Sequence, residues 1–185
     1  MPILKSLNMK HISIISSSVR SDRKSHNVAL YFEQFLTENK LATTEILDLK
    51  AYDFPLFDER LSNQENPGKN AIDFQKKIVN SDGIIIVTPE YNGSFPASLK
   101  NAIDLLYIEW KNKPIAISTV SSGIFGGTQC LIALQFVLFK IGALTISSVF
   151  HVAKVQENYD DDGKAINKII ADKMATIFVK ELLDR

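Results

Sequence analysis

The stretch from Gly83 to Leu106, GIIIVTPEYNGSFPASLKNAIDLL, constrains the fold of this chain more than any other. Four consecutive branched apolar residues, Ile84 to Val87, suit a strand covered on both faces, as the inner strands of a parallel sheet are. Pro89, Asn92, Gly93 and Ser94 stop that strand in a sharp polar loop. Pro96 then sits where the first turn of a helix accepts a residue without an amide proton. Leu99, Ala102, Ile103 and Leu106 recur at three- and four-residue spacing, which buries one helix face and turns Lys100, Asn101 and Asp104 outward. A strand, a loop at its carboxyl end and a helix pointing its amino end back at that loop follow. In open parallel sheets ligands bind there, because helix amino termini carry free amide protons.

The rest of the chain repeats the unit. HISIISS, residues 11 to 17, reads as a strand, followed by the polar loop SSVRSDRKSHN and a helix capped near Ser25, with Val28, Ala29, Phe32, Phe35 and Leu36 on its inner face. TTEILDL, residues 43 to 49, is the second strand. The connection from Lys50 to Asn66 is too apolar for a plain linker and too rich in turn formers for a helix, and loops of that length are more often functional than idle. Asn66 and Pro67 are expected to open the next helix at its N-cap and first turn, and Ala71, Ile72, Gln75, Ile78 and Val79 carry it on. IAISTV is the fourth strand and ends in the glycine-rich loop SSGIFGG. The helix from Thr128 to Lys140 is apolar on two faces: Leu131, Leu134 and Leu138 on one, Ile132, Phe136 and Phe139 on the other. One sheet covers only one of these, so the second is expected to meet another subunit. Leu144 to Val149 alternate partly, as a strand nearer the edge does. Ile166, Ile169, Ile170, Met174, Ile177 and Phe178 trace the apolar stripe of the last helix.

Five strands alternating with five helices predict one α/β domain over residues 1–185. Its core is a doubly wound, three-layer, five-stranded parallel sheet of the flavodoxin type, in the order 2-1-3-4-5, with residues 1–9 a loosely ordered extension. Right-handed crossovers gather the loops after strands one, three and four along one rim. A length of 185 residues suits one well-buried domain, and 45% hydrophobic with 23% charged residues is the balance of an ordinary soluble protein. The formal net charge of +0 provides no long-range field to attract nucleic acid. One cysteine, Cys130, excludes an internal disulfide and points to a reducing cytoplasm; no secretory signal or membrane-spanning run is apparent.

The three rim loops differ in chemistry. The first suits a phosphate: Ser16 to Ser18 and Ser25 offer hydroxyls, the helix amino end offers amides, and Arg20 or Arg23 can pair bidentately with a dianion. A solvated polar connection is the competing reading. Neither a G-x-G-x-x-G fingerprint nor a Walker lysine motif follows the first strand, which argues against a dinucleotide fold of that kind and a P-loop. Pro89 to Ser94 and Ser121 to Gly127 are rich in backbone and glycine, and suit close approach of a flat ring with polar edges. For these, plain turn chemistry competes, and Glu90 reads equally as a surface carboxylate or half an ion pair. His11, His26 and His151 are scattered, so no metal site is expected; no G-x-S-x-G elbow appears, and Cys130 reads as a packed core thiol. Tyr52, Phe54 and Phe57 of the long connection stand apart as residues that would line a pocket.

SSVRSDRKSHNVA near the start, TPEYNGSFPASLKNAID in the middle and SSGIFGG later resemble, together, the NADPH-dependent FMN reductase family. These flavodoxin-like enzymes include bacterial quinone, chromate and azo-dye reductases. The P-E-Y-N-G-S-x-P-x-x-L-K-N-A-I-D stretch is the specific part; the phosphate loop is looser, with Ser17-Ser18 where the family usually shows Gly-Ser. The resemblance implies that Ser18, Arg20, Ser25 and Asn27 hold the FMN phosphate, with His26 contributing mainly backbone. It further implies that Pro89, Glu90, Tyr91, Asn92 and Gly93 wrap the isoalloxazine, and that Ser121, Ser122 and Gly123 close its far side. The chemistry would belong to the flavin, with no catalytic side chain. NADPH or NADH would be the co-substrate and a small molecule such as a quinone the acceptor, turned over by a ping-pong mechanism in a homodimer or homotetramer. The rival readings are a flavodoxin-like electron carrier without nicotinamide turnover and a non-catalytic α/β domain that binds another phosphorylated ligand.

Overall fold

A computed structural model describes residues 9–185; apart from Met9, the expected N-terminal extension lies outside the described residues. Five parallel strands form one sheet: β1 (His11–Ser16), β2 (Thr43–Asp48), β3 (Gly83–Pro89), β4 (Pro114–Val120) and β5 (Leu144–Val152). Their order is β2-β1-β3-β4-β5, as expected, so β3 lies at the centre and the connection reverses direction between β1 and β3. All seven residues of β3 are buried, whereas β5 alternates, the pattern of an edge.

Seven α-helices among the described residues cover the two faces: α1 (Ser25–Glu38), α2 (Leu49–Tyr52), α3 (Lys69–Asn80), α4 (Ala97–Leu105), α5 (Thr128–Lys140), α6 (Val155–Asn158) and α7 (Lys168–Leu183). Two of them, α2 and α6, are single turns of four residues. Helices α1 and α7 share one apolar core, in which Phe32 packs against Phe150 and Phe178 at centroid separations of 4.9 and 5.4 Å. Helices α3, α4 and α5 share the other, around Phe74 and the fully buried Trp110, whose indole N–H donates to the Ile103 carbonyl at 3.0 Å. Cys130 is a core thiol as expected; burial, with the Glu90 charge adding to it, pushes its pKa up to about 12.

Several local expectations are corrected. Helix α3 begins at Lys69 with Gly68 as its N-cap, not at Asn66 and Pro67: Gly68 is still extended, and its carbonyl closes the first turn by accepting from Ala71 and Ile72. The α1 cap position is Lys24; Ser25 is already helical. Pro96 is the α4 cap, and Leu106 lies beyond that helix yet remains buried. Asn101 is not turned to solvent but bonded to the long connection. Of the apolar stripe read along the last helix, Ile166, Ile169, Ile170, Met174 and Ile177 are exposed, at 43 to 84%, and only Phe178 is buried. The helix instead lays Ala171, Ala175, Phe178, Val179 and Leu182 on the sheet. Two alanines one turn apart let the helix sit close, and that proximity outweighs the larger side chains on the other face.

Candidate active site

The carboxyl ends of β1, β3 and β4 open onto one rim, and their loops lie against each other. After β1 the chain turns under β3, with the Ser17 amide donating to the Val87 carbonyl at 3.1 Å. Ser98, in the first turn of α4, donates its hydroxyl to the Ser17 carbonyl at 2.6 Å. The Ser18 hydroxyl meets the Tyr91 hydroxyl at 2.7 Å, which ties the first loop to the second. After β3, Tyr91 to Ser94 form a two-residue hairpin. The Tyr91 amide donates to Ser94 at 2.8 Å and the Ser94 amide returns at 3.0 Å, with φ of 52° at Asn92 and 77° at Gly93. Both central residues are left-handed, which is why Asn-Gly occupies them.

Glu90 joins the second loop to the third. Its amide donates to Val120, and its carboxylate accepts from the amides of Gln129 and Cys130 at 3.0 and 3.2 Å. Among the described residues it forms no ion pair; it caps α5 from 39 residues away, in the position where the helix dipole favours negative charge. The third loop is held from below by Thr119, whose hydroxyl donates to the Gly126 carbonyl at 2.6 Å and meets His151 Nδ1 at 2.7 Å. Gly127, at φ 79°, lies close against Thr119: a Cβ there would stand 3.0 Å from that of Thr119, tighter than an ordinary contact.

These loops enclose a cleft of about 170 Å³ between Arg20, Ser25, Pro89, Glu90, Tyr91, Ser121 and Ser122. Seven of the thirteen residues singled out in sequence thus line one space. The others stand near it: Ser18 is buried behind Tyr91, Asn92 and Gly93 form the hairpin tip, and Gly123 accepts from the Ser121 hydroxyl at 2.9 Å. The His26 ring turns away to meet the Ser16 hydroxyl at 3.0 Å; burial, then the nearby Arg23 charge, holds its pKa below the ordinary histidine value, so it is neutral at pH 7. Asn27 donates its side-chain amide to Asp161 at 3.2 Å.

Two arginines of the first loop have separate fates. Arg23 makes a two-pronged pair with Asp48 at the end of β2 and donates to the Ser18 carbonyl at 3.0 Å. Burial alone would raise the Asp48 pKa, but the Arg23 hydrogen bonds and the Lys50 amide outweigh it and hold the carboxyl below its ordinary value. Arg20 forms no ion pair among the described residues, and its guanidinium carbon lies 5.6 Å from the centre of the Tyr91 ring. The hydroxyls of Ser17 and Ser25 are buried without a hydrogen-bond partner. A buried hydroxyl left unpaired costs about 1–3 kcal/mol, so Ser25, at the amino end of a 14-residue helix and beside a spare guanidinium, has the chemistry to receive an anionic oxygen. No group of three or more His, Cys, Asp or Glu able to hold a metal occurs among the described residues.

A doubly wound sheet with a hydroxyl- and arginine-bearing loop after β1, and backbone-rich loops after β3 and β4, defines the flavodoxin-like class of phosphate-and-ring binders. Within that class the chain belongs to the NADPH-dependent FMN reductase family, whose model matches residues 10–157. It is 34% identical over 152 residues to an NAD(P)H-dependent FMN reductase of Saccharomyces cerevisiae, covering 75% of this chain and 78% of that protein. It is also 34% identical over 113 residues to a quinone reductase of Escherichia coli, covering 59% of this chain and 60% of that one. Among solved structures, the flavoenzyme NAD(P)H:(acceptor) oxidoreductase FerB from Paracoccus denitrificans superposes with a TM-score of 0.75 at 25% identity, covering 95% of this chain and 96% of that one.

Proposed function

We propose that this chain binds FMN at the rim and uses it to carry reducing equivalents from NAD(P)H to a small acceptor, of which quinones are the leading class. The observation that carries the reading is Ser25: a buried, unpartnered hydroxyl at the amino end of α1, in the same cleft as Arg20, Tyr91, Ser121 and Ser122. FMN, when bound, accepts hydride from reduced nicotinamide and passes the electrons to the acceptor.

The residues of this chain bind and orient. Arg20 and Ser25, with Ser18 and the backbone around His26, receive the phosphate end; Ser25 gains a partner for its hydroxyl and Arg20 a counter-charge. Asn27 supports that turn through Asp161 rather than by direct contact. The hairpin at Tyr91, Asn92 and Gly93, with Pro89, presents backbone to one side of the ring, and Ser121, Ser122 and Gly123 present it to the other. Glu90 holds the two loops at a set separation by capping α5. A cleft of about 170 Å³ is small beside the roughly 300 Å³ at which enclosing ligand pockets begin, so these residues would enclose the group only in part and would leave room beside it for a second ligand. Nicotinamide and acceptor would take turns there, a ping-pong scheme whose hydride step needs no acid or base from the protein.

A homo-oligomer belongs to this reading. On α5, Ile132, Phe136 and Phe139 are 65 to 76% exposed, and the α7 stripe gives a second apolar surface in the opposite layer. Two separate apolar surfaces suit a dimer of dimers. The carrier alternative is disfavoured by the formal net charge of +0, since a protein that docks on basic partners is expected to be strongly acidic. No described helix is long and apolar enough to cross a membrane. Titration with FMN followed by anaerobic addition of NADPH tests the function. One FMN per chain and loss of the oxidised-flavin absorbance are expected, and a chain that takes up no flavin defeats the reading.

A further inference from the structure

The rim cleft has a fourth wall beyond its three loops. Val155 and Gln156 line it, both in the single turn α6 that follows β5. The chain leaving β5 is fastened to the third loop along its length. The Ser121 amide donates to the Val152 carbonyl at 2.9 Å, and the Lys154 and Val155 amides donate to the Gly123 and Ser121 carbonyls at 2.9 and 3.1 Å. The Gln156 side chain adds a bond to the Ser122 carbonyl at 3.3 Å.

The same segment then reaches the opposite end of the cleft. Tyr159 and Ala165 pair as an antiparallel bridge, and between them the Asp160 carboxylate accepts from the Asp162 and Lys164 amides at 3.0 and 2.7 Å, which closes residues 159–165 into a tight hairpin. That hairpin lies directly on α1. A Cβ at Gly163, where φ is 80°, would stand 2.5 Å from that of Leu30 and 2.8 Å from the Asn27 carbonyl oxygen. The Asp161 carboxylate accepts from Lys24 Nζ at 3.0 Å and from the Asn27 side-chain amide at 3.2 Å, and Gln34 donates to the Asp162 carbonyl at 2.7 Å. Lys24 is the cap of α1 and Asn27 lies in its first turn, so the hairpin grips the helix end that carries Ser25.

We propose that residues 154–163 are a brace that sets the separation between the phosphate end of the cleft and its serine-glycine loop. In it Gln156 is a further binding residue, meeting the hydroxyl-bearing chain that joins phosphate and ring in the bound flavin. Its amide has donors and an acceptor, the complement of alcohol groups, and a single donor is engaged among the described residues. Asp161 is a positioning residue that acts through Lys24 and Asn27; a carboxylate touching the phosphate would repel it, so its contribution is to hold the α1 end. The proposal rests on the functional reading for the choice of FMN as ligand.

Three flavins of increasing length test it: lumiflavin, the ring alone; riboflavin, the ring with its hydroxyl chain; and FMN, which adds the phosphate. Affinities are read by fluorescence titration of the whole chain. Gln156→Ala is expected to weaken FMN and riboflavin about two- to tenfold and to leave lumiflavin unchanged. Asp161→Ala is expected to weaken FMN alone, about two- to fivefold, a modest loss because Asp22 keeps a second hold on Lys24 at 3.4 Å. Asp161→Asn, which can still accept from Asn27, should lose less. Both side chains are exposed, so the variants keep the circular dichroism spectrum of wild type. Equal losses for all three flavins would mean a general loosening and overturn the brace. So would wild-type affinities in both alanine variants, or an FMN affinity that rises in Asp161→Ala, which would make that charge a repelling neighbour. A wild-type chain that takes up none of the three defeats the functional reading itself, whereas one that binds FMN without these differences defeats the brace alone.

Discussion

The carboxylate of Glu90 accepts the backbone amide of Gln129 at 3.0 Å, and through that contact the loop after β3 is fastened to the helix that follows β4. A charged cap at a helix amino end is worth about 0.5–2 kcal/mol. Glu90→Ala is therefore expected to lower unfolding free energy by about 1 kcal/mol in urea titrations. FMN affinity should fall as well, because the hairpin and the serine-glycine loop lose their common anchor. Glu90→Gln, which keeps an acceptor oxygen, should fall between. Unchanged stability in Glu90→Ala would show the contact to be incidental.

Arg20→Ala is expected to weaken FMN binding by about 1.5–3 kcal/mol, the value of a charge-assisted hydrogen bond, and to reduce the salt dependence of binding. Ser25→Ala should cost less, about 0.5–1.5 kcal/mol, because only a neutral donor is lost. Flavin fluorescence titrations at two ionic strengths read both. Wild-type affinity in Arg20→Ala would remove that guanidinium from the phosphate site.

The pair of Arg23 and Asp48 gives the fold a pH dependence of definite sign. Because the Asp48 pKa is lowered in the folded chain, its contribution is fully present above the ordinary carboxylate value of about 3.9 and is lost as pH falls through the lower folded value. Asp48→Asn should therefore destabilise at pH 7 by about 1–3 kcal/mol, and the difference from wild type should shrink in acid below that range. A gap that stays constant down to pH 2 would assign the loss to packing instead.

Phe136→Asp places a charge in the middle of the exposed α5 face, where the wild-type ring is 65% exposed and contributes little to the core. Sedimentation velocity should show a smaller assembly with an unaltered circular dichroism spectrum. A mass equal to that of wild type would take this face out of the interface.

Much of the architecture was legible in the chain because its signals are local. The branched run at Ile84 to Val87 admits a doubly covered strand, and Asn92-Gly93 admits a left-handed turn; these need no distant partner. Tyr52, Phe54 and Phe57 stood out for the same reason, as aromatics in a stretch that could be neither helix nor plain linker. The α7 stripe shows where such reasoning stops. Periodicity reports that isoleucines share a face, not which way the face turns, and the packing of Ala171 and Ala175 against the sheet turned it outward.

The strands themselves, the turns that follow them and the residue types those turns carry are set by the amino-acid sequence alone, since burial pattern and turn chemistry act over a few residues. Which arginine is spent on Asp48 and which has no ion pair among the described residues was decided only by the tertiary structure, as was the role of Glu90 as a cap. Each depends on groups 25 to 39 residues apart, brought together by the crossovers of the sheet, and on competition among them for a limited set of hydrogen-bond partners.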